Sequence, residues 1–265
     1  MKMSRFIPNI LKILKTYGVS LLLGVRTTLL VAITGTVVGL ILGLIVGGIR
    51  AMKLDFTASN AARMIKKVID GLLNVYIGLF RGTPMMVQAL FIYYLLLDVI
   101  HWTYLQAAIV VISVNTGAYM AEIIRSGIQS VDIGQTEAAR ALGMSNFQTM
   151  MHVILPQALK NAFPAVGNEF IVNIKDSSVL MIISITELMF QAKSIAGSTF
   201  LFTETYFIEA MIYLILTTVA SIALNLIEKR LNQNSVSLPQ SDTSPSSFAL
   251  AVETRQEGNS DYVSR

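Results

Sequence analysis

TTLLVAITGTVVGLILGLIVGGI, residues 27–49, runs for 23 positions without one charged side chain. At about 1.5 Å per residue, a helix over this stretch is longer than the roughly 30 Å hydrocarbon core of a bilayer, so the sequence predicts a membrane span. Glycines recur inside it at Gly35, Gly39 and Gly43, on one helical stripe. Such a stripe suits close helix packing, either against another helix of the chain or in a dimer.

Working outward, four more apolar runs follow, at about 72–97, 105–124, 164–190 and 207–226. The first of them is interrupted by Arg81-Gly82-Thr83-Pro84. Composition agrees: 54% of residues are hydrophobic, 14% are charged and mean hydropathy is +0.63. An ordinary soluble domain carries about 25% charged residues. The runs are continuous rather than alternating, which favours helices over a β-barrel. With no cysteine there are no disulfides and no thiolate metal sites.

Three regions result. Residues 1–18 read as an amphipathic lead-in, because Lys12 and Lys15 interrupt what otherwise resembles a signal peptide. Residues 19–230 form the transmembrane domain, with a polar loop at about 131–160. Residues 231–265 are rich in Ser, Gln, Asn and Pro and read as a disordered tail. The last 34 residues hold 2 basic and 4 acidic side chains, leaving 18 and 12 in the body. Those basic residues gather at span ends, so membrane topology accounts for the charge and nucleic-acid binding does not. Arg50, Lys53, Arg63, Lys66 and Lys67 in one loop, and Arg125, Arg140 and Lys160 in another, assign both loops to the cytoplasm. The amino terminus is then outside and the carboxyl terminus inside, although Lys2, Arg5, Lys12 and Lys15 run against that rule.

The polar loop reads DIGQTEAARALGMSNFQTMMHVILP from Asp132 to Pro156. Asp132 with Gln135 forms a capping-box signal for a helix to about Leu142, and Gly143 can close it in the left-handed conformation. Ser145 with Gln148 signals a second short helix, expected to end near Leu155-Pro156. From spacing alone this is either a docking surface or a connecting loop with chance caps.

Glu137-Ala138-Ala139, Gly143 with nine residues between it and Val153, and Val153-Ile154-Leu155-Pro156 resemble the E-A-A loop of permease subunits in ATP-binding-cassette importers, with Val153 where isoleucine is usual. The segment Arg81-Gly82-Thr83-Pro84 with Val87-Gln88, the run from Gly117 to Arg125, and Asn168-Glu169 with Lys175-Asp176-Ser177-Ser178 are similar to segments of its polar amino acid branch. The resemblance covers about residues 24–230. It implies an all-α fold: a polytopic membrane helix bundle of about five transmembrane helices with a cytoplasmic E-A-A coupling helix-turn-helix.

It further implies a prokaryotic cell-membrane protein that pairs with a second, identical or homologous permease and with two cytoplasmic ATPases. An extracytoplasmic binding protein delivers the amino acid. ATP and Mg belong to the partner ATPase, no cofactor belongs to this chain, and membrane lipid surrounds it. No G-x-x-x-x-G-K-[ST] phosphate loop occurs, so the chain is not itself an ATPase enzyme of that type. The coupling residues are expected to be Glu137 as polar contact, Ala138 and Ala139 as close apolar approach, Gly143 as the turn, and Leu155 and Pro156 at the motif's end.

Pathway residues are less sharply marked. Glu169 and Asp176 lie seven apart, on one helical face, with Asn173 one turn from each and Asn168 beside them. These carboxylates either line the pathway and meet a substrate ammonium, or are neutralised by Lys175 and Arg81, or sit at the interface. Arg81 and Thr83 lie at a predicted kink, where Arg81 either meets a substrate carboxylate or pairs with an acid. Glu122 and Arg125 form an ion pair at helical spacing, and His101-Trp102 reads as an interfacial anchor. An ion-coupled secondary transporter would show inverted halves, and an intramembrane hydrolase would need a nucleophile with a base or a metal motif; neither pattern occurs.

Overall fold

A chain in hydrocarbon can satisfy its backbone amides only within itself, and every regular element among the described residues is helical. The computed structural model describes residues 5–52 and 59–233. Lys2, Lys53 and the polar tail from position 234 onward lie outside the described residues.

The order is α1 (Phe6–Ala51), α2 (Asn60–Gly82), α3 (Met85–Ile100), α4 (Tyr104–Gln129), α5 (Ile133–Ala141), α6 (Asn146–Thr149), a π-helical turn (Met150–Ile154), α7 (Leu155–Asp176), a 3₁₀ turn (Ser177–Ile183), α8 (Leu188–Thr199) and α9 (Phe202–Gln233). Helices α1, α4 and α9 are long and apolar enough to cross a membrane. Two bent pairs, α2 with α3 at 116° and the helical path Asn146–Ile183 with α8 at 56°, raise the total to five if each crosses as one.

The glycine stripe is an internal seam. Gly35, Gly39, Gly43 and Gly47 face Ile112, Thr116, Met120 and Ile124 of α4 in that order, so α1 and α4 run parallel. A Cβ at Gly43 would lie 2.3 Å from the Met120 Cβ and 2.8 Å from its backbone carbon. Only glycine permits such an approach. Because the two helices are parallel neighbours, the α2–α3 pair must carry the chain back across between them.

Helix α7 packs against both members of the seam, with Gly127 of α4 near Ala158 and Thr116 near Asn173, an antiparallel order. The starts of α1 and α9 meet: Asn9 donates to Glu204 at 2.8 Å, and Phe6 packs edge-on to Phe207.

Several expectations change. The lead-in is not a separate segment, since α1 is one helix of 46 residues running through Lys12 and Lys15. The Arg81–Pro84 interruption is a sharp bend of 116° between α2 and α3. The run at 164–190 is not one helix: α7 ends at Asp176, a 3₁₀ turn carries the path to Ile183, and after Ser184 at φ +65° Glu187 caps a new helix, its carboxylate accepting from Met189 N and Phe190 N at 2.9 and 2.7 Å and from the Tyr213 hydroxyl at 3.0 Å. Helix α9 takes in residues 231–233, the first assigned to the tail. Trp102 is buried and stacked on Tyr93 rather than presented as an interfacial anchor.

Candidate functional site

The polar loop folds into a tight helical hairpin. Asp132 caps α5 by accepting from Gly134 N at 2.7 Å. The reciprocal half of the expected box is absent, since the Gln135 side chain accepts instead from Gln157 of α7 at 3.4 Å. At the other end of α5, Gly143 has φ +82°. Gly143 N donates to Arg140 O at 2.9 Å and Met144 N to Ala139 O at 3.1 Å. This pair of bonds is the Schellman closure, which requires a left-handed residue where Gly143 stands. The Ser145–Gln148 box is complete in both directions.

The second short helix does not stop at Leu155-Pro156. Helix α6 passes through the π-helical turn into α7, with Pro156 in the first turn of α7. Proline lacks an N–H and its ring crowds the carbonyl four residues back; the wider π turn relieves both problems. Leu155 N accordingly donates five residues back, to Met150 O.

The surface of the hairpin differs in part from the expected one. Glu137 and Ala138 are exposed, and Glu137 has no ion-pair partner among the described residues. Ala139 is only 4% exposed, so it faces the chain's own interior and leaves the expected outward set. The residues that sequence reading missed are large and apolar: Ile133, Leu142 and Phe147 are 71%, 84% and 59% exposed. A groove of about 550 Å³ lies beside the turn, lined by Leu142, Gly143, Met144, Gln148 and His152. Apolar side chains at a polar loop's tip were the available signal, since an isolated chain gains nothing from exposing them.

The second candidate region is the α2–α3 elbow. In a continuous helix Phe80 O would accept from residue 84, but Pro84 has no N–H. Two side-chain amides fill the gap: Gln88 Nε2 donates to Phe80 O at 2.9 Å and Asn115 Nδ2 to the same oxygen at 3.3 Å. Gln88 Nε2 also reaches Thr83 O at 2.9 Å and Thr83 Oγ1 at 2.8 Å. Thr83 Oγ1 donates to Leu79 O at 2.7 Å, so this hydroxyl is committed to the elbow rather than open to a substrate.

Arg81 is exposed, forms no ion pair among the described residues, and lays its guanidinium 5.3 Å from the Tyr119 ring centre. Glu169 and Asp176 are partly buried on α7, and Glu169 lies within electrostatic range of both Asp176 and Arg81. Asn168 is exposed. Asn173 leaves this group: it is 3% exposed, accepts from Thr116 Oγ1 at 3.0 Å and donates to Thr36 Oγ1 at 2.8 Å. It ties α7 to the α1–α4 seam. Glu122 is shared by Arg125, at 2.8 Å, and by Arg50 at the end of α1.

These features define a polytopic helical membrane protein whose spans frame a capped, apolar-tipped hairpin. Residues 56–233 match the model of the binding-protein-dependent transport system inner membrane component family, and the chain belongs to that family. It is the multi-pass inner-membrane permease of an ATP-binding-cassette importer and not its ATPase. Such a system has ATPase partners and a binding protein.

A probable amino-acid permease of Bacillus subtilis is 39% identical over 170 residues, 63% of this chain and 76% of that protein. The glutamine transport permease of Escherichia coli is 40% identical over 160 residues, 59% and 73%. In structure, an amino acid ABC transporter crystallised with histidines matches at TM-score 0.73 and 37% identity, covering 83% of this chain and 98% of that one. A subunit of the inward-facing MetNI methionine transporter shares the fold at TM-score 0.69 and 20% identity, over 81% and 97%.

Proposed function

We propose that this permease moves a polar amino acid into the cell as one of two permease subunits, driven by two cytoplasmic ATPases that bind ATP and Mg. The cargo reading is supported by the relatives just described, at 37–40% identity, whose names specify amino acids or glutamine. The binding protein hands over the substrate outside, and the amino terminus lies outside with the carboxyl terminus in the cytoplasm. Arg50, Arg63, Lys66 and Lys67 near the α1–α2 loop, and Arg140 and Lys160 near the hairpin, support that orientation.

The observation that carries the coupling assignment is the hairpin surface, where Leu142 is 84% exposed and Glu137 is exposed with no ion-pair partner among the described residues. Leu142 and Phe147 fill apolar pockets of the ATPase, Glu137 supplies the polar contact, Ala138 allows close approach, and Gly143 sets the angle between the two limbs. Leu155 and Pro156 join the hairpin to α7. On the pathway side, Arg81 faces the substrate carboxylate, and Glu169 with Asp176 faces its ammonium or a cationic side chain.

The test is purification of the tagged chain from native membranes in mild detergent, with identification of what accompanies it. A nucleotide-binding ATPase is expected with the wild type and is expected to be depleted in Glu137→Lys. Equal recovery of the ATPase with both would remove Glu137 from the coupling surface.

A further inference from the structure

Three backbone carbonyls at the α2–α3 elbow lose their helical donors, and each is satisfied by a side chain. Leu79 O takes the Thr83 hydroxyl, Phe80 O takes Gln88 and Asn115, and Thr83 O takes Gln88. Water could do the same chemistry, but water would leave the angle free. Here the donors are tethered. Gln88 belongs to α3, Asn115 belongs to α4, and Asn115 Nδ2 donates to Gln88 Oε1 at 2.8 Å, closing a ring through Phe80 O. The orientation of both amides follows, because only nitrogens can face the carbonyls. Gln88 and Asn115 are 5% and 7% exposed.

The same face of α4 holds Arg81. Tyr119 lies one helical turn beyond Asn115, and its ring receives the guanidinium. Tyr76, four residues before Phe80 on α2, donates its hydroxyl to Val114 O at 2.6 Å. The corner that launches the Arg81 side chain is therefore fixed to α4 at three successive places, through Tyr76, Phe80 and Arg81 itself.

We propose that Gln88 and Asn115 are positioning residues of the transport pathway: they touch no substrate, but by clamping the Phe80 and Thr83 carbonyls they hold Arg81 where it meets a substrate carboxylate. The proposal rests on the reading of Arg81 as a pathway residue. Removing the Gln88 amide takes the side-chain donor from Thr83 O, and removing the Asn115 amide leaves the Gln88 side-chain oxygen without its donor and Phe80 O held by Gln88 alone, so in either case the elbow loses a tether and relaxes. Arg81 then samples positions off the bidentate geometry that a carboxylate requires.

The experiment uses the complete importer complex in detergent, with Gln88→Met and Asn115→Leu, which keep side-chain volume and delete the amides. The chain has no cysteine, so nitroxides placed through Val75→Cys and Leu95→Cys, on exposed positions of α2 and α3, report the elbow without background. Equilibrium binding of radiolabelled glutamine, histidine and arginine to the permease complex without binding protein is the second readout, and recovery of the ATPase controls for assembly.

In both amide variants the interspin distribution is expected to broaden, and binding of the amino acid retained by wild type is expected to weaken roughly tenfold or more, the scale of one lost charge-assisted contact. An unchanged distribution refutes the clamp. A broadened distribution with wild-type binding, while Arg81→Gln abolishes binding, reduces the amides to a structural role and overturns the proposal. Weakened binding in the amide variants with wild-type binding in Arg81→Gln removes Arg81 from the pathway and overturns the proposal together with the reading it rests on.

Discussion

Replacing Gly43 with alanine should separate the two helices at the heart of the fold. The new Cβ would meet the Met120 Cβ at 2.3 Å, the Met120 carbonyl carbon at 2.8 Å and Ala121 N at 2.9 Å. Two of those atoms are backbone, so no rotamer change relieves the clash. At Gly35 the nearest atom is the Ile112 Cγ2 methyl at 2.5 Å, which has some freedom to move, whereas at Gly39 the Thr116 Cβ at 2.7 Å is as fixed as its backbone. Restoring ordinary contact at Gly43 requires the α1 and α4 backbones to part by about 1 Å. A gap of that size forfeits roughly a quarter to a half of the dispersion energy at each neighbouring contact. It also stretches the Thr36–Asn173–Thr116 chain, which now has bonds of 2.8 and 3.0 Å.

Overpacking of this kind costs about 1–3 kcal/mol, and the better helix propensity of alanine returns about 1. The matched control is Gly48→Ala, on the same helix, where a Cβ meets nothing within 4 Å. It carries the propensity gain without the clash. Thermal unfolding of the detergent-solubilised complex should place Gly43→Ala below Gly48→Ala by roughly 5 °C. Equal midpoints would mean that the seam is not close-packed in the protein, and the parallel α1–α4 arrangement would lose its main support.

Two further substitutions separate stability from coupling. Gly143→Val places a β-branched residue at φ +82° and should cost about 1 kcal/mol or more locally; transport by reconstituted vesicles should fall while membrane insertion, followed by fractionation, persists. Asn173→Leu leaves the Thr36 and Thr116 hydroxyls without their shared partner and should lower the unfolding midpoint of the complex, with amino acid binding retained in the folded fraction. Loss of binding in that folded fraction would return Asn173 to the pathway.

The spans were legible because a long uncharged run in water has few alternatives to a membrane, and the glycine period named the face that packs. The direction of packing was not, since a stripe of small residues serves an internal seam as well as a dimer. Gly143 was readable because a left-handed turn has so few occupants. Pro156 misled for a related reason: it ends a helix from inside but is tolerated in a first turn, and only the π turn before it decides which applies. The break between Ile183 and Leu188 carries neither glycine nor proline: Ser184 takes the left-handed conformation, and Glu187 caps α8 while also accepting from Tyr213, 26 residues away. Likewise Arg81–Pro84 announced an interruption, but its angle is set by Asn115, 27 residues beyond Gln88.

The hairpin's attachment explains how a short polar loop can act on a long bundle. Its two ends are tied to each other at the membrane side: a Cβ at Gly127 would lie 2.7 Å from Ala158 O, Asn161 Nδ2 donates to Ser130 Oγ at 2.9 Å, and Gln157 reaches Gln135. Helices α4 and α7 therefore enter and leave the loop as a fastened pair. Helix α4 is in turn fastened to α1 by the glycine seam and by the ion pairs of Glu122 with Arg50 and Arg125. Under the proposed coupling role, a force applied at Leu142 and Glu137 meets a loop whose caps and Schellman closure leave few backbone groups free to rearrange. It passes to α4, α7 and α1 together. The α-helical ladder is interrupted at the elbow at Arg81–Pro84 and again at the 3₁₀ turn Ser177–Ile183, and Arg81 and Asp176 stand at these two interruptions.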